Sequence, residues 1–107
     1  MSAVTAATDQ SFAAAVLQSE QLVLVDYWAD WCAPCRQLAP VVEALAVEYG
    51  DRAKFVKVDA QNNTLVPATY NVANLPTVQL FRRGQIVASL SGQVTRAKLR
   101  QMLDQEL

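Results

Sequence analysis

The sequence predicts an α/β domain with a central mixed five-stranded sheet flanked by about four helices, and three observations carry that prediction. Short runs rich in β-branched residues alternate with segments of helical apolar spacing, the pattern that builds a sheet with helices on both faces. One run, Leu22-Val23-Leu24-Val25, is apolar at every position, as a strand buried on both faces requires. The last two runs are joined through Arg83-Gly84, too short for a crossover helix, so they pair antiparallel and make the sheet mixed.

In chain order, Val4 to Ala7 reads as a short opening strand. Thr8 or Asp9 then caps a helix on which Phe12, Val16 and Leu17 share a face. Leu22 to Trp28 is the second strand. The next helix begins at Cys35 or just before it and ends at Tyr49, with Leu38, Val42, Leu45 and Tyr49 on one face and Gly50 as its stop. Pro40 inside it removes one intrahelical hydrogen bond and is expected to kink it. Ala53 to Asp59 is a third strand, Thr64 to Tyr70 a short helix and Thr77 to Phe81 a fourth strand. Gln85 to Ser91 is the fifth strand, and Thr95 caps a closing helix with Leu99, Met102 and Leu103 on one face.

Composition narrows the function. The 107 residues are 52% hydrophobic, enough for one domain spanning 1–107 to bury roughly 65% of its unfolded surface in a single core. Nine basic and ten acidic residues give a net charge of −1 with no basic run, so electrostatics do not favour nucleic acid or a membrane surface, and protein partners are expected. Met1 to Gln10 lacks a charged and apolar leader pattern, and no window reaches the length of a membrane span, so a cytoplasmic location is the expectation.

The chemistry-bearing motif is Trp31-Cys32-Ala33-Pro34-Cys35, which holds both cysteines at a strand-to-helix junction. Two cysteines separated by two residues in a βα unit are the arrangement of a redox dithiol. A disulfide closing so short a loop stabilises a fold by only about 2 kcal/mol before strain, against about 3 for a fifteen-residue loop, so a structural staple is the weaker reading. Tetrahedral zinc needs four ligands, and two thiols with no histidine supply half of them, leaving only a metal bridge between two chains.

With Asp26-Tyr27-Trp28-Ala29, Leu38-Ala39-Pro40, Lys57-Val58-Asp59, Leu75-Pro76-Thr77, Gly84 and Gly92 following in order around the cysteine motif, essentially the whole chain resembles the thioredoxin family. The resemblance implies reduction of disulfides in protein substrates, with re-reduction by an NADPH-dependent thioredoxin reductase, no cofactor held by the chain itself, and a monomer. It also implies a cis bond between Leu75 and Pro76 lying against the cysteine pair, with Leu75 backbone groups free to pair with a substrate strand. Trp31, Ala33, Pro34, Leu75, Pro76 and Gly92 then form a shallow docking surface around Cys32.

Residue chemistry gives the steps. Cys32, at the lip of the helix, faces its unsatisfied amides and the positive end of its dipole, which stabilises the thiolate nucleophile. A fall in pKa from about 8.5 to about 7 raises the thiolate fraction at neutral pH about sixteenfold, and the accompanying loss of nucleophilicity takes back roughly fivefold. The net gain of about threefold leaves docking and the second step as the larger contributors. In that step Cys35, one turn further in and less exposed, resolves the mixed disulfide. With no histidine available, Asp26 at the desolvated carboxyl end of the central strand is the expected proton acceptor, and the charge of Lys57 modulates it. Trp28 reads as core packing.

Two departures from the family pattern stand out. Ala33 occupies a position where the family usually has glycine, and before Pro34 it is expected in extended geometry. Ser91 and Gln93 replace small apolar neighbours of Gly92, giving a more polar docking rim. Other readings are an oxidase or isomerase of the same fold, a noncatalytic binding module, and the metal-bridged dimer.

Overall fold

The computed structural model describes residues 2–107. Its strands are β1 (Thr5–Ala7), β2 (Leu22–Trp28), β3 (Ala53–Asp59), β4 (Thr77–Arg82) and β5 (Gln85–Ser91), in the sheet order β1-β3-β2-β4-β5. β3 pairs parallel with both β1 and β2, and β4 pairs antiparallel with β2 and β5. The mixed five-stranded sheet is therefore the one expected, with β2 central.

The alternation of side chains along β2 divides the core in two. Leu22 and Leu24 face the helices α1 (Ala33–Tyr49) and α3 (Arg96–Glu106), packing with Leu38, Val42, Leu45, Tyr49, Leu99 and Leu103. Val23, Val25 and Tyr27 face the opposite way, with Phe12, Val16, Val66 and Phe81. Each of these large side chains taken wholly out of water contributes about 1.5–3 kcal/mol, which fixes the register of the sheet, since a slip by one residue would exchange the two faces. Asp26 belongs by parity to the α1 face. The one polar pair in the other core is satisfied: the Tyr27 hydroxyl donates to Gln79 Oε1 at 2.9 Å, and Gln79 Nε2 donates to the Tyr70 carbonyl at 3.1 Å.

The first helical segment differs from expectation. Ala13–Leu17 is one wide π-helical turn, with the Gln18 amide donating to the Ala13 carbonyl, and it buries Phe12 and Val16 while leaving Leu17 half-buried. Thr8 caps the approach to it through a reciprocal pair with Ser11, each side-chain oxygen accepting from the other residue's amide at 3.1 and 2.8 Å. Asp9 serves another element. Its carboxylate accepts from the amides of Leu65 and Val66 at 3.2 and 2.9 Å and so caps α2 (Leu65–Thr69), whose own N-cap Thr64 makes no side-chain bond. Asp9→Ala should therefore destabilise the protein by about 1 kcal/mol, read as a lowered urea midpoint at unchanged slope, although Asp9 lies more than fifty residues from the amides it serves.

α1 starts two residues before Cys35 and continues through Pro40 to Tyr49; Gly50 ends it, leading through a short turn into β3. Ala33, expected to be extended, is instead the first helical residue, because the Arg36 amide already bonds the Cys32 carbonyl at 3.2 Å and closes a turn around it. Pro34 fits within this turn because amides there have no intrahelical acceptor to lose. At the other end of the sheet, Arg83 and Gly84 both take positive φ, 51° and 79°, the tight turn that matches strand twist. A side chain at Gly84 would meet the Leu17 carbonyl oxygen at 3.2 Å, a second reason for glycine. Beyond the turn a bulge shifts the β4–β5 register, and Thr95 caps α3 by accepting from the Lys98 amide at 3.2 Å.

Candidate active site

The carboxyl end of β2 delivers the chain directly into α1, and the two cysteines lie across that junction. Cys32 takes extended geometry, φ −93° and ψ 102°, as the N-cap of α1. Its Sγ accepts a hydrogen bond from the Cys35 amide at 3.2 Å, so sulfur occupies the place that serine or aspartate oxygen fills at most helix starts. Cys32 and Cys35 are joined as a disulfide with a Cα–Cα distance of 5.3 Å. Both are buried, Cys32 at 4% exposure and Cys35 at 2%, packed with Ala29, Trp28 and Leu75. The difference runs in the expected sense but is small, so access is decided mainly by position: Cys32 stands at the helix end and Cys35 beneath it.

Beneath Cys35 lies a mostly apolar cavity of about 250 Å³ lined by Asp26, Trp28, Cys35, Arg36, Ala39 and Lys57. Asp26 and Lys57 are register partners across β2 and β3, which brings the carboxylate and the ammonium to the same face. Burial pushes the Asp26 carboxyl up to about 7 from the ordinary carboxylate range, and the Lys57 charge opposes that rise without cancelling it. Asp26 Oδ1 is buried and accepts no hydrogen bond among the described residues, and the neighbouring Trp28 Nε1 donates none. Lys57 Nζ lies 5.9 Å from the Trp28 ring centroid, within cation–π range. Trp28 thus belongs both to the packing around the cysteines and to the cavity wall.

The Leu75–Pro76 bond is cis. It separates two grooves on the surface. Trp31, 69% exposed, and Leu75 line one groove of about 330 Å³ together with Ala60, Pro67, Val72 and Ala73. Pro34, Pro76 and Gly92 line the other, of about 390 Å³, with Gln37, Gln93 and Arg96. The single shallow surface read from the sequence is thus two concavities, and Ala33, exposed at the start of α1, lines neither. Gly92 has φ +80° and open space where a side chain would project, so the left-handed backbone rather than crowding calls for glycine there.

Arg36, Gln37 and Arg96 were not singled out by sequence. Arg36 lines the Asp26 cavity and its guanidinium donates to the Asp30 carbonyl, tying the motif loop to α1. The available signal for Arg36 was its position directly after Cys35 on a helix of known phase; Arg96 depended on a loop geometry that periodicity does not give.

Comparison with known proteins agrees with this geometry. The sequence model of the thioredoxin family matches residues 3–105. Thioredoxin C-2 of Corynebacterium nephridii is 44% identical over 94% of this chain and 93% of its own. Thioredoxin 1 of Synechococcus elongatus is 43% identical over the full length of both, and the thioredoxin of Haemophilus influenzae is 36% identical, again over the full length of both. With a cysteine pair bonded at the start of α1 beside a cis proline, and a family match across nearly its whole length, the chain belongs to the thioredoxin family and is a thiol–disulfide oxidoreductase that reduces protein disulfides.

Proposed function

We propose that the cycle runs through Cys32 as nucleophile and Cys35 as resolving thiol, and the observation that carries this assignment is the Cys32 sulfur serving as acceptor at the N-terminus of α1. In the reduced protein that position supplies an amide donor and the positive end of a helix dipole to a thiolate. The Cys32 thiolate attacks one sulfur of a substrate disulfide, forming a mixed disulfide and releasing the first substrate thiolate. Cys35 then loses its proton to Asp26 and its thiolate attacks Cys32 Sγ. The second substrate thiolate leaves, two electrons have passed to the substrate, and the protein holds the Cys32–Cys35 disulfide.

Asp26 is assigned as the proton acceptor because it shares a cavity with Cys35 and titrates near neutral pH, and Lys57 as its modulator because its charge opposes the rise. Substrate docks with its strand along the Leu75 backbone, Pro76 against the cysteines, and Trp31, Ala33, Pro34 and Gly92 around Cys32. The chain acts as a single-domain monomer in the cytoplasm, re-reduced by an NADPH-dependent thioredoxin reductase, with electrostatics that favour protein over nucleic acid or membrane partners. No helix among the described residues is long and apolar enough to cross a membrane.

The test is the reduction potential of the Cys32/Cys35 pair, followed through Trp28 and Trp31 fluorescence in redox buffers. A midpoint near about −270 mV is expected for a reductase; one near about −180 mV or above would assign the protein to oxidation or isomerisation instead.

A further inference from the structure

The two grooves beside the cysteine pair differ in charge. The Trp31/Leu75 groove is lined by neutral residues only, whereas Arg96 is the one charged residue lining the groove on the Pro34/Pro76/Gly92 side, and no carboxylate lines that groove. Arg96 is exposed and makes no ion pair or side-chain hydrogen bond among the described residues. Lys98 adds a second cation close by, and its Nζ donates to the Gln93 carbonyl at 3.2 Å, holding the rim of the same groove.

This arrangement runs against local stability. Arg96 and Lys98 occupy the first turn of α3, where the helix dipole disfavours cations, and no acidic side chain there offsets them. Departures from local preference of this kind concentrate where a surface has a task beyond folding. An arginine presents a planar fork of donors matched to a carboxylate, and a carboxylate placed in this groove would meet Arg96, with Lys98 on the rim, and complement charges that the fold itself leaves unbalanced.

We propose that this groove selects protein disulfides carrying an aspartate or glutamate next to the attacked cysteine, with Arg96 as the residue that reads the carboxylate. The inference rests on the reductase cycle above, in which the substrate segment crosses Pro76 and Gly92 and so passes over the groove.

The test uses disulfide-bonded peptides identical except for one residue, Glu, Gln or Lys, placed before the attacked cysteine in one series and after it in another. Second-order rate constants for reduction by the full reduced protein are measured for wild type, Arg96→Gln and Arg96→Glu. In at least one series wild type should favour Glu over Lys by about fivefold at low salt, the upper range for an exposed pair, and the preference should shrink as salt screens it. Arg96→Gln should level the ratio and Arg96→Glu should invert it. A Glu-to-Lys ratio that is the same in all three proteins, with the peptides still reduced, overturns the inference alone. Failure of wild type to reduce any of the peptides overturns the reductase cycle and the inference with it. Because Arg96 is exposed and packs into no core cluster, the Arg96→Gln comparison with the salt series stands even if the charge reversal impairs folding.

Discussion

A Cys35→Ser protein should stop after one chemical step, with its substrate covalently attached through Cys32. The backbone amide that donates to Cys32 Sγ remains in place, so the first attack retains its helix-end donor. What disappears is the thiol held in the same turn, at a Cα–Cα distance of 5.3 Å. A correctly placed intramolecular group corresponds to an effective concentration of about 10⁵ M or more, and a millimolar thiol in solution cannot substitute for it. Turnover of a protein disulfide should fall by at least about a thousandfold, while intact-mass measurement finds an adduct of protein plus substrate that dithiothreitol releases. Cys32→Ser should give neither turnover nor adduct, because Cys35 lies inside the first turn of α1 and not at its end, where a folded substrate would meet Cys32. An adduct on Cys35 in the Cys32→Ser protein, or multiple turnover by Cys35→Ser, would reverse or remove the assignment of roles.

Much of this fold was legible because its main determinants are local. The continuous apolar run of β2, the helical spacing of Leu38, Val42, Leu45 and Tyr49, and the two-residue turn at Arg83-Gly84 each specify an element without reference to the rest of the chain. The cap at Thr95 is equally local, linking residues three apart. The misreadings come where the partner is distant. Thr8 and Asp9 were equal candidates to cap the helix beside them, and nothing in the neighbourhood of Asp9 reveals that it bonds the amides of Leu65 and Val66. The helical spacing of Phe12 and Val16 does not distinguish an α-helix from the wide turn at Ala13–Leu17, because both bury these two residues.

The site divides in the same way. Cys32, Cys35 and Pro34 lie within one helical turn, so their relation follows from the sequence. Asp26 and Lys57 were named from strand position, and the parallel register makes them partners across β2 and β3. The cavity that adds Arg36 depends on how α1 packs over β2 and β3, and the separation of the docking surface into two grooves depends on how the segments before β4 and α3 meet α1 around the cis bond. Such surfaces are products of tertiary packing and leave no periodic trace.

Replacing Asp26 should change stability in a way that depends steeply on pH. The folded protein holds this carboxyl at about 7, well above the ordinary aspartate value of 3.8, chiefly because burial disfavours the charged form. A raised folded-state pKa means that the folded protein binds the proton more tightly than the unfolded chain does. The stabilisation associated with that proton is fully present below about pH 4 and is lost as pH rises through about 7. At 1.36 kcal/mol for each tenfold change in proton affinity, that rise amounts to about 4 kcal/mol. Asp26→Asn keeps the shape and cannot ionise, so its stability relative to wild type should be flat below about pH 4, climb between about 4 and 7, and level off at about 4 kcal/mol more favourable above about 8. Denaturant titrations of the oxidised proteins across that range measure the curve directly, and a pH-independent difference would show that Asp26 is not held protonated by burial. Lys57→Met removes the charge that opposes the rise, so the inflection in an otherwise wild-type protein should move to higher pH. The same substitutions separate stability from chemistry: Asp26→Asn should slow release of the mixed disulfide, where Cys35 must give up its proton, while leaving the initial attack by Cys32 near its normal rate. Stopped-flow traces in which both steps slow equally would leave Asp26 as a buried destabilising group with no part in proton transfer.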